Sequence, residues 1–210
     1  MIWFEYVMET GRLAHEKGLY NVLVTNGFVN PDPLDELLGV VDAMNIDLKA
    51  FNGDFYRELC GAEIEPVKRT IVRAARDCHV ELTTLLIPGR NDDGDDIADE
   101  ARWIAAEVGE DVPVHLSAYH PAHNLHAPAT PAATLLKARG VFRRYLKYVY
   151  LGNVLAEDGN ETVCEGCGAT VIERRGYRVG LGGMSEDGRC AACGGDLNVV
   201  TGACGGGETD

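Results

Sequence analysis

Residues 80–108 read VELTTLLIPGRNDDGDDIADEARWIAAEV. Val80–Ile87 is a β-branched and apolar run, which predicts a strand. Pro88-Gly89-Arg90-Asn91 has turn chemistry. From Asp95 to Val108 the apolar positions switch to helical spacing, with Ile97, Ala101, Ile104 and Val108 on one face. Strand, polar turn and helix in succession make the repeating unit of a parallel sheet with helical crossovers.

The same unit recurs on both sides. Upstream, residues 2–17 predict a helix with Phe4, Val7, Met8, Gly11 and Ala14 on one side and Gly18 closing it. Residues 21–25 (NVLVT) predict a strand ending in Asn26-Gly27. Asp32-Pro33 predicts a helix start, with the helix running to Leu38. Val41–Lys49 predicts a strand and Pro66–Asp77 a helix. Downstream, Pro113–Tyr119 predicts a strand, Thr130-Pro131 opens a helix to about residue 146, and Tyr148–Val154 predicts the last strand. The order is one helix, four βα units and a final strand.

Five such strands fit either an open doubly wound sheet or part of a barrel. Most strands leave polar or turn residues at their C-terminal ends: Asn26, Asp47 with Lys49, Asn91, His120 and Asn153. A barrel enzyme builds its site from several strand ends at that face, whereas an open sheet concentrates it at one switch point. The spread predicts an α/β fold of partial (β/α) barrel type. Within it, Asn45, Asp47 and Lys49 share one side of their strand, and Met44, Ile46 and Leu48 take the other. Asp47 and Lys49 read either as a structural ion pair or as the two halves of a site for a zwitterionic ligand. Thr25-Asn26-Gly27 reads either as a plain turn or as small donors beside a glycine that lets a ligand approach.

Two CxxC pairs, Cys164 with Cys167 and Cys190 with Cys193, are each followed by Gly, and 22 residues separate them. Four thiolates at this spacing predict a closed, structural metal site, zinc first and iron of rubredoxin type as the alternative. Domain boundaries follow: residues 1–155 for the barrel part, 156–200 for a small zinc-ribbon-like knuckle, and 201–210 as a disordered tail. The chain has 210 residues and a formal net charge of −14. That charge repels phosphates and argues against nucleic acid as a partner. No apolar run approaches the ~18 residues of a membrane span. The N-terminal residues lack the basic start and cleavage site of a signal peptide, so the expected location is cytoplasmic.

Six segments in order carry a resemblance: VTNGF (24–28), NIDLKAF (45–51), FYRELCGAEIEPV (55–67), LLIPGRNDD (85–93), HLSAYHP (115–121) and YLGNV (150–154). Together they resemble the radical SAM superfamily, in its pyruvate formate-lyase activating enzyme group. With the CxxCG…CxxCG ribbon the series looks closest to the radical SAM member of the AmmeMemoRadiSam system. The resemblance implies an enzyme in which a 4Fe–4S cluster reduces S-adenosylmethionine to methionine and a 5′-deoxyadenosyl radical, with a protein substrate in activating enzymes. It implies that Thr25 and Asp47 help form the cofactor site, that Lys49 reaches the methionine carboxylate and that His120 contacts the cofactor; Asn26 joins them as a cofactor-binding candidate from its position at the mouth. Asn91 and Asn153 are further positions at the mouth.

The sequence departs from the family in lacking CxxxCxxC, the source of three cluster ligands. It also lacks the glycine-rich strand that receives the cofactor's amino group. The expectation is the back portion of a radical SAM enzyme, with the missing elements before Met1 and no activity in this portion alone. Two other readings stand beside it. One is a non-catalytic, zinc-stabilised binding module on a barrel remnant. The other is a lyase using Lys49 as a Schiff-base amine, against which the adjacent Asp47 argues.

Overall fold

The computed structural model describes residues 3–154, 159–176 and 178–199. The elements run α1 (Phe4–Glu16), β1 (Val22–Thr25), α2 (Pro31–Leu38), β2 (Ala43–Asp47), α3 (Gly53–Phe55) passing into a π-helical turn (Tyr56–Cys60), α4 (Ile64–Ala74), β3 (His79–Leu86), α5 (Gly94–Glu107), β4 (Val114–Ala118), α6 (Ala132–Phe142) and β5 (Val149–Gly152). The ribbon adds β6 (Thr162–Val163), β7 (Thr170–Arg175) and β8 (Arg178–Gly180).

Strands β1 to β5 form one parallel sheet in sequence order. Sequential order with a helical crossover at each step is the barrel pattern, without the order reversal of a doubly wound sheet. One face of the sheet is packed under helices: Met44, Ile46, Leu82, Leu86, Leu116 and Leu151 join the core with Leu37, Ile71, Ile104, Leu135 and Phe142. The other face carries Asn45, Asp47, Glu81, Thr83, His115, Ser117 and Tyr150, all half-buried. The period of two thus sorts apolar side chains outward to the helices and polar ones inward, as the Asn45-Asp47-Lys49 alternation predicts. At the β1 edge, Val22 and Val24 are exposed.

Two helix starts differ from expectation. The helix α2 begins at Pro31 with Asn30 as cap, two residues before the predicted Asp32-Pro33; Pro31 already has the fixed φ suited to the first helical position. Helix α6 has Pro131, not Thr130, as its cap. The Thr130 hydroxyl is committed elsewhere: it donates to the Leu86 carbonyl at 2.6 Å and accepts from the Tyr119 amide at 2.9 Å. It ties the ends of β3 and β4 together. The helical turns at 53–60 were not anticipated; Asn52 caps them by accepting from the Asp54 and Phe55 amides.

The ribbon pairs β6-β7-β8 antiparallel. It meets the sheet through Tyr150, whose hydroxyl lies 2.9 Å from Thr162 Oγ1, and the end of α6 through an Arg143–Glu165 ion pair of 3.0 Å. The expected tail at 201–210 lies outside the described residues.

Candidate functional site

Thr25, Asn26, Asp47, Lys49 and His120 all lie at or just past the C-terminal ends of β1, β2 and β4, along one rim of the sheet. Lys49 Nζ donates to Asp47 Oδ2 at 2.6 Å, and both side chains remain about a third exposed, at 37% and 27%. Water screens such a pair, so it contributes only ~0–1 kcal/mol to stability. The Lys49 backbone is held far more firmly. Its amide donates to the Tyr56 hydroxyl at 3.0 Å, and its carbonyl accepts from Asn91 Nδ2 at 2.9 Å. Both clamps are buried, and burial pushes the Tyr56 hydroxyl well above the usual tyrosine range, so it stays neutral. The backbone is fixed while the charged ends stay wet.

The other rim residues divide. Thr25 Oγ1 accepts from the Gly27 amide at 3.2 Å and Asn26 Oδ1 from the Phe28 amide at 3.1 Å, which is turn chemistry of the plain kind. Gly27 is required for packing: it has φ +70°, and a Cβ there would stand 2.7 Å from Ile46 and 3.1 Å from Val67. Its bare backbone lets β1 close against β2 and α4. Asn91 is a buried strut, accepting from the Ile87 amide and donating to the Leu85 and Lys49 carbonyls. His120 is exposed, with Nε2 2.9 Å from the Asn153 carbonyl. A carbonyl only accepts, so Nε2 carries the proton and Nδ1 faces outward as an acceptor in the neutral ring. Sequence reasoning missed Tyr56 and Glu81. Tyr56 was unread because its helical turns were; Glu81 sits at an inward position of β3, which the alternation of VELTT would have shown.

The four ribbon cysteines converge. Their sulfurs all lie within 4.8 Å of one another, with Cys164–Cys193 and Cys167–Cys190 both at 3.7 Å. A tetrahedron with metal–sulfur bonds of ~2.3 Å has edges of about 3.8 Å, so the thiols already stand at ligand spacing. No disulfide joins them. Each CxxC turn closes the same way: the Gly168 amide bonds the Cys164 carbonyl at 2.7 Å and the Gly194 amide the Cys190 carbonyl at 2.8 Å. Both glycines have φ near +70°, as the glycine after the second cysteine implied. Backbone N–H groups of Cys193 and Ala192 aimed at the Cys190 sulfur pull its pKa down to about 7. Among the described residues no other group of three or more His, Cys, Asp or Glu side chains is placed to hold a metal. Cys60 and Cys78 are separate, and burial pushes both thiols up. His115, His120, His123 and His126 form no such group either.

The family model described as "Radical SAM superfamily" matches residues 1–104. An uncharacterized protein of Methanocaldococcus jannaschii, MJ0808, is 39% identical over 203 residues, covering 95% of this chain and 60% of that protein. Pyruvate formate-lyase 1-activating enzyme of Escherichia coli is 31% identical over 119 residues, 55% of this chain and 48% of the enzyme. Among solved structures, a domain of pyruvate-formate lyase-activating enzyme from Bacteroides vulgatus superposes with a TM-score of 0.63 at 20% identity, over 71% of this chain and 91% of that domain. The last likeness concerns the fold alone. The chain thus matches the radical SAM superfamily over residues 1–104 and is similar to pyruvate formate-lyase activating enzyme. It spans about half to 60% of the length of these curated relatives.

Proposed function

We propose that this chain forms the C-terminal part of a radical SAM enzyme of activating type, carrying one wall of the S-adenosylmethionine site and a separate structural zinc ribbon. The observation that carries the reading is the Asp47–Lys49 pair at the rim, a carboxylate and an ammonium with the Lys49 backbone clamped and both charges partly solvated. Such a pair matches the methionine moiety of S-adenosylmethionine, itself a zwitterion. Lys49 turns from Asp47 to the carboxylate of the ligand, and Asp47 faces its cationic end. Asn26, Thr25 and His120 supply polar groups along the same rim. When bound next to a reducing cluster, the cofactor supplies a carbon radical that abstracts hydrogen from a substrate; in activating enzymes that substrate is a protein.

The cluster is a different matter. A 4Fe–4S cluster with one iron open needs three cysteines close together. The sequence has no CxxxCxxC, and Cys60 and Cys78 belong to no ligating group among the described residues. The ribbon's four thiols close one tetrahedral ion and leave no open position. The residues present do not fit the radical-generating cluster, so this chain alone is inactive in our reading, and its catalysis requires cysteines supplied from a preceding segment. The domain division follows: residues 1–155 serve the cofactor and 156–200 hold the metal, in a cytoplasmic protein. In the described residues no helix is long and apolar enough to cross a membrane.

The test is formation of 5′-deoxyadenosine from S-adenosylmethionine by anaerobically reduced protein. The chain alone should give none. The same chain extended by an upstream in-frame segment containing CxxxCxxC should give product, and Asp47→Ala should remove it. An upstream reading frame without such a motif would sink the enzyme reading and favour a zinc-stabilised binding module.

A further inference from the structure

A cavity of about 1620 Å³ lies away from the Asp47–Lys49 rim. It lies between the N-terminal ends of the barrel strands and the ribbon. One polar row crosses its wall. Glu81 holds His115 Nε2 at 2.6 Å on one carboxylate oxygen and His79 Nε2 at 3.2 Å on the other. His115 is in register with Tyr150 of β5, and their rings lie 5.5 Å apart. Over the Tyr150 ring, at 5.1 Å, sits the guanidinium of Arg174 from the ribbon. Arg174 is pinned by donating Nη1 to the Asn160 carbonyl at 3.1 Å and to Thr162 Oγ1 at 2.8 Å.

Packing leaves two things in this row unexplained. A carboxylate only accepts, so the 2.6 Å contact to Glu81 places a proton on His115 Nε2. Nδ1 of the neutral ring is then an oriented acceptor, and no donor among the described residues reaches it. Arg174 is the second case. It lines the same cavity without a carboxylate in ion-pair range among the described residues, although the chain has 33 acidic side chains. An arginine held in place and left without a counter-ion is preorganised for an anion.

We propose that this cleft binds a small organic carboxylate bearing a hydroxyl or amine, of the hydroxy- or amino-acid class. Its carboxylate pairs with Arg174, and its O–H or N–H donates to His115 Nδ1. Glu81 is the positioning residue that fixes the imidazole. The ribbon thereby contributes a residue to a site on the barrel sheet, and the proposal stands whether or not the rim binds S-adenosylmethionine.

Iodoacetate places a carboxylate and an electrophilic carbon on one small molecule, and iodoacetamide is its neutral twin. The zinc-saturated chain is treated with each, and alkylation of every histidine is followed by peptide mass spectrometry, with exposed His123 as internal reference. Relative to His123, His115 should react about tenfold faster with iodoacetate than with iodoacetamide, the size of one charge-assisted hydrogen bond. Arg174→Met should abolish that preference and Arg174→Lys should retain part of it, both with zinc content unchanged. If Arg174→Met loses zinc, the Lys variant decides: loss of preference with zinc retained and charge kept contradicts the carboxylate anchor. Equal rates with the two reagents, or His115 no more reactive than His123, overturn the proposal.

Discussion

In the five-stranded sheet, Ile46, Leu82 and Leu116 are wholly buried beneath four long crossover helices, whereas in the ribbon the buried apolar set is Cys164, Val171, Ile172 and Cys190. Two of the ribbon's four, Cys164 and Cys190, belong to the four-cysteine group proposed to hold the metal. The sheet is held by ordinary burial spread over many side chains, each worth ~1.5–3 kcal/mol. The ribbon has too little apolar surface to offset the entropy of ordering its loops, and its order is concentrated in one four-sulfur centre. A distributed core and a single point of attachment respond differently to damage.

The largest effect should follow loss of the metal. Removing it with a chelator, or by Cys164→Ser with Cys190→Ser, should melt the ribbon while the sheet and its helices persist. Structural zinc contributes on the order of 10–16 kcal/mol to small domains of this kind. Amide hydrogen exchange would show it: protection lost over residues 162–199 and kept in β2, β3 and β4. Protection lost equally in both regions would break the comparison.

The reverse experiment cuts into the sheet. Leu116→Ala leaves a cavity in the centre of β4 and should cost about 2–5 kcal/mol in denaturant unfolding. Bound metal should stay unchanged, because no ribbon cysteine touches that core.

A smaller effect comes from Glu100, wholly buried on α5 and accepting from the Thr84 hydroxyl. Burial pushes its pKa up to about 8. The unfolded chain releases this proton near the ordinary carboxyl value, the folded chain only near pH 8. Between those values the unfolded state binds fewer protons, so stability falls as pH rises. Glu100→Gln keeps the shape without the charge. It should flatten that slope and raise Tm at pH 8 by about 2–4 °C, the shift given by roughly 1 kcal/mol in a chain of this size. The ribbon's melting should not move.

Smallest is the rim. Asp47→Asn should change stability by less than about 1 kcal/mol, since the pair is half-solvated. In a chain extended to carry CxxxCxxC the same change should raise the dissociation constant for S-adenosylmethionine by about tenfold, the loss of one charged contact. A large stability loss without an affinity change would make the pair structural.

The two regions were also legible in different ways. The sheet could be read from periodicity, because Ile97, Ala101 and Ile104 face one way for the same reason that Val80, Leu82 and Leu86 do: a repeating side-chain direction imposed by backbone geometry. Periodicity does not show which polar side chain closes onto which. Lys49 is clamped by Tyr56 and Asn91, one seven and the other 42 residues away, and neither distance belongs to a local pattern. The same holds for Thr130, read with Pro131 as a helix start and found tying β3 to β4. The ribbon was legible from four cysteines, because tetrahedral coordination fixes spacing in sequence as in space. What it packs against was not: the placement of Arg174 over Tyr150 depends on the whole route of the chain between them.

The central claim is that the metal of this chain sits in the ribbon as a single closed ion, apart from the cofactor rim. X-ray absorption and metal analysis of anaerobic protein supplied with iron, sulfide and zinc test it directly. The account predicts about one zinc per chain with four sulfur ligands at ~2.3 Å and no iron–sulfur cluster. An iron–sulfur cluster bound by this chain, or a ribbon that stays folded with no metal at all, would contradict it.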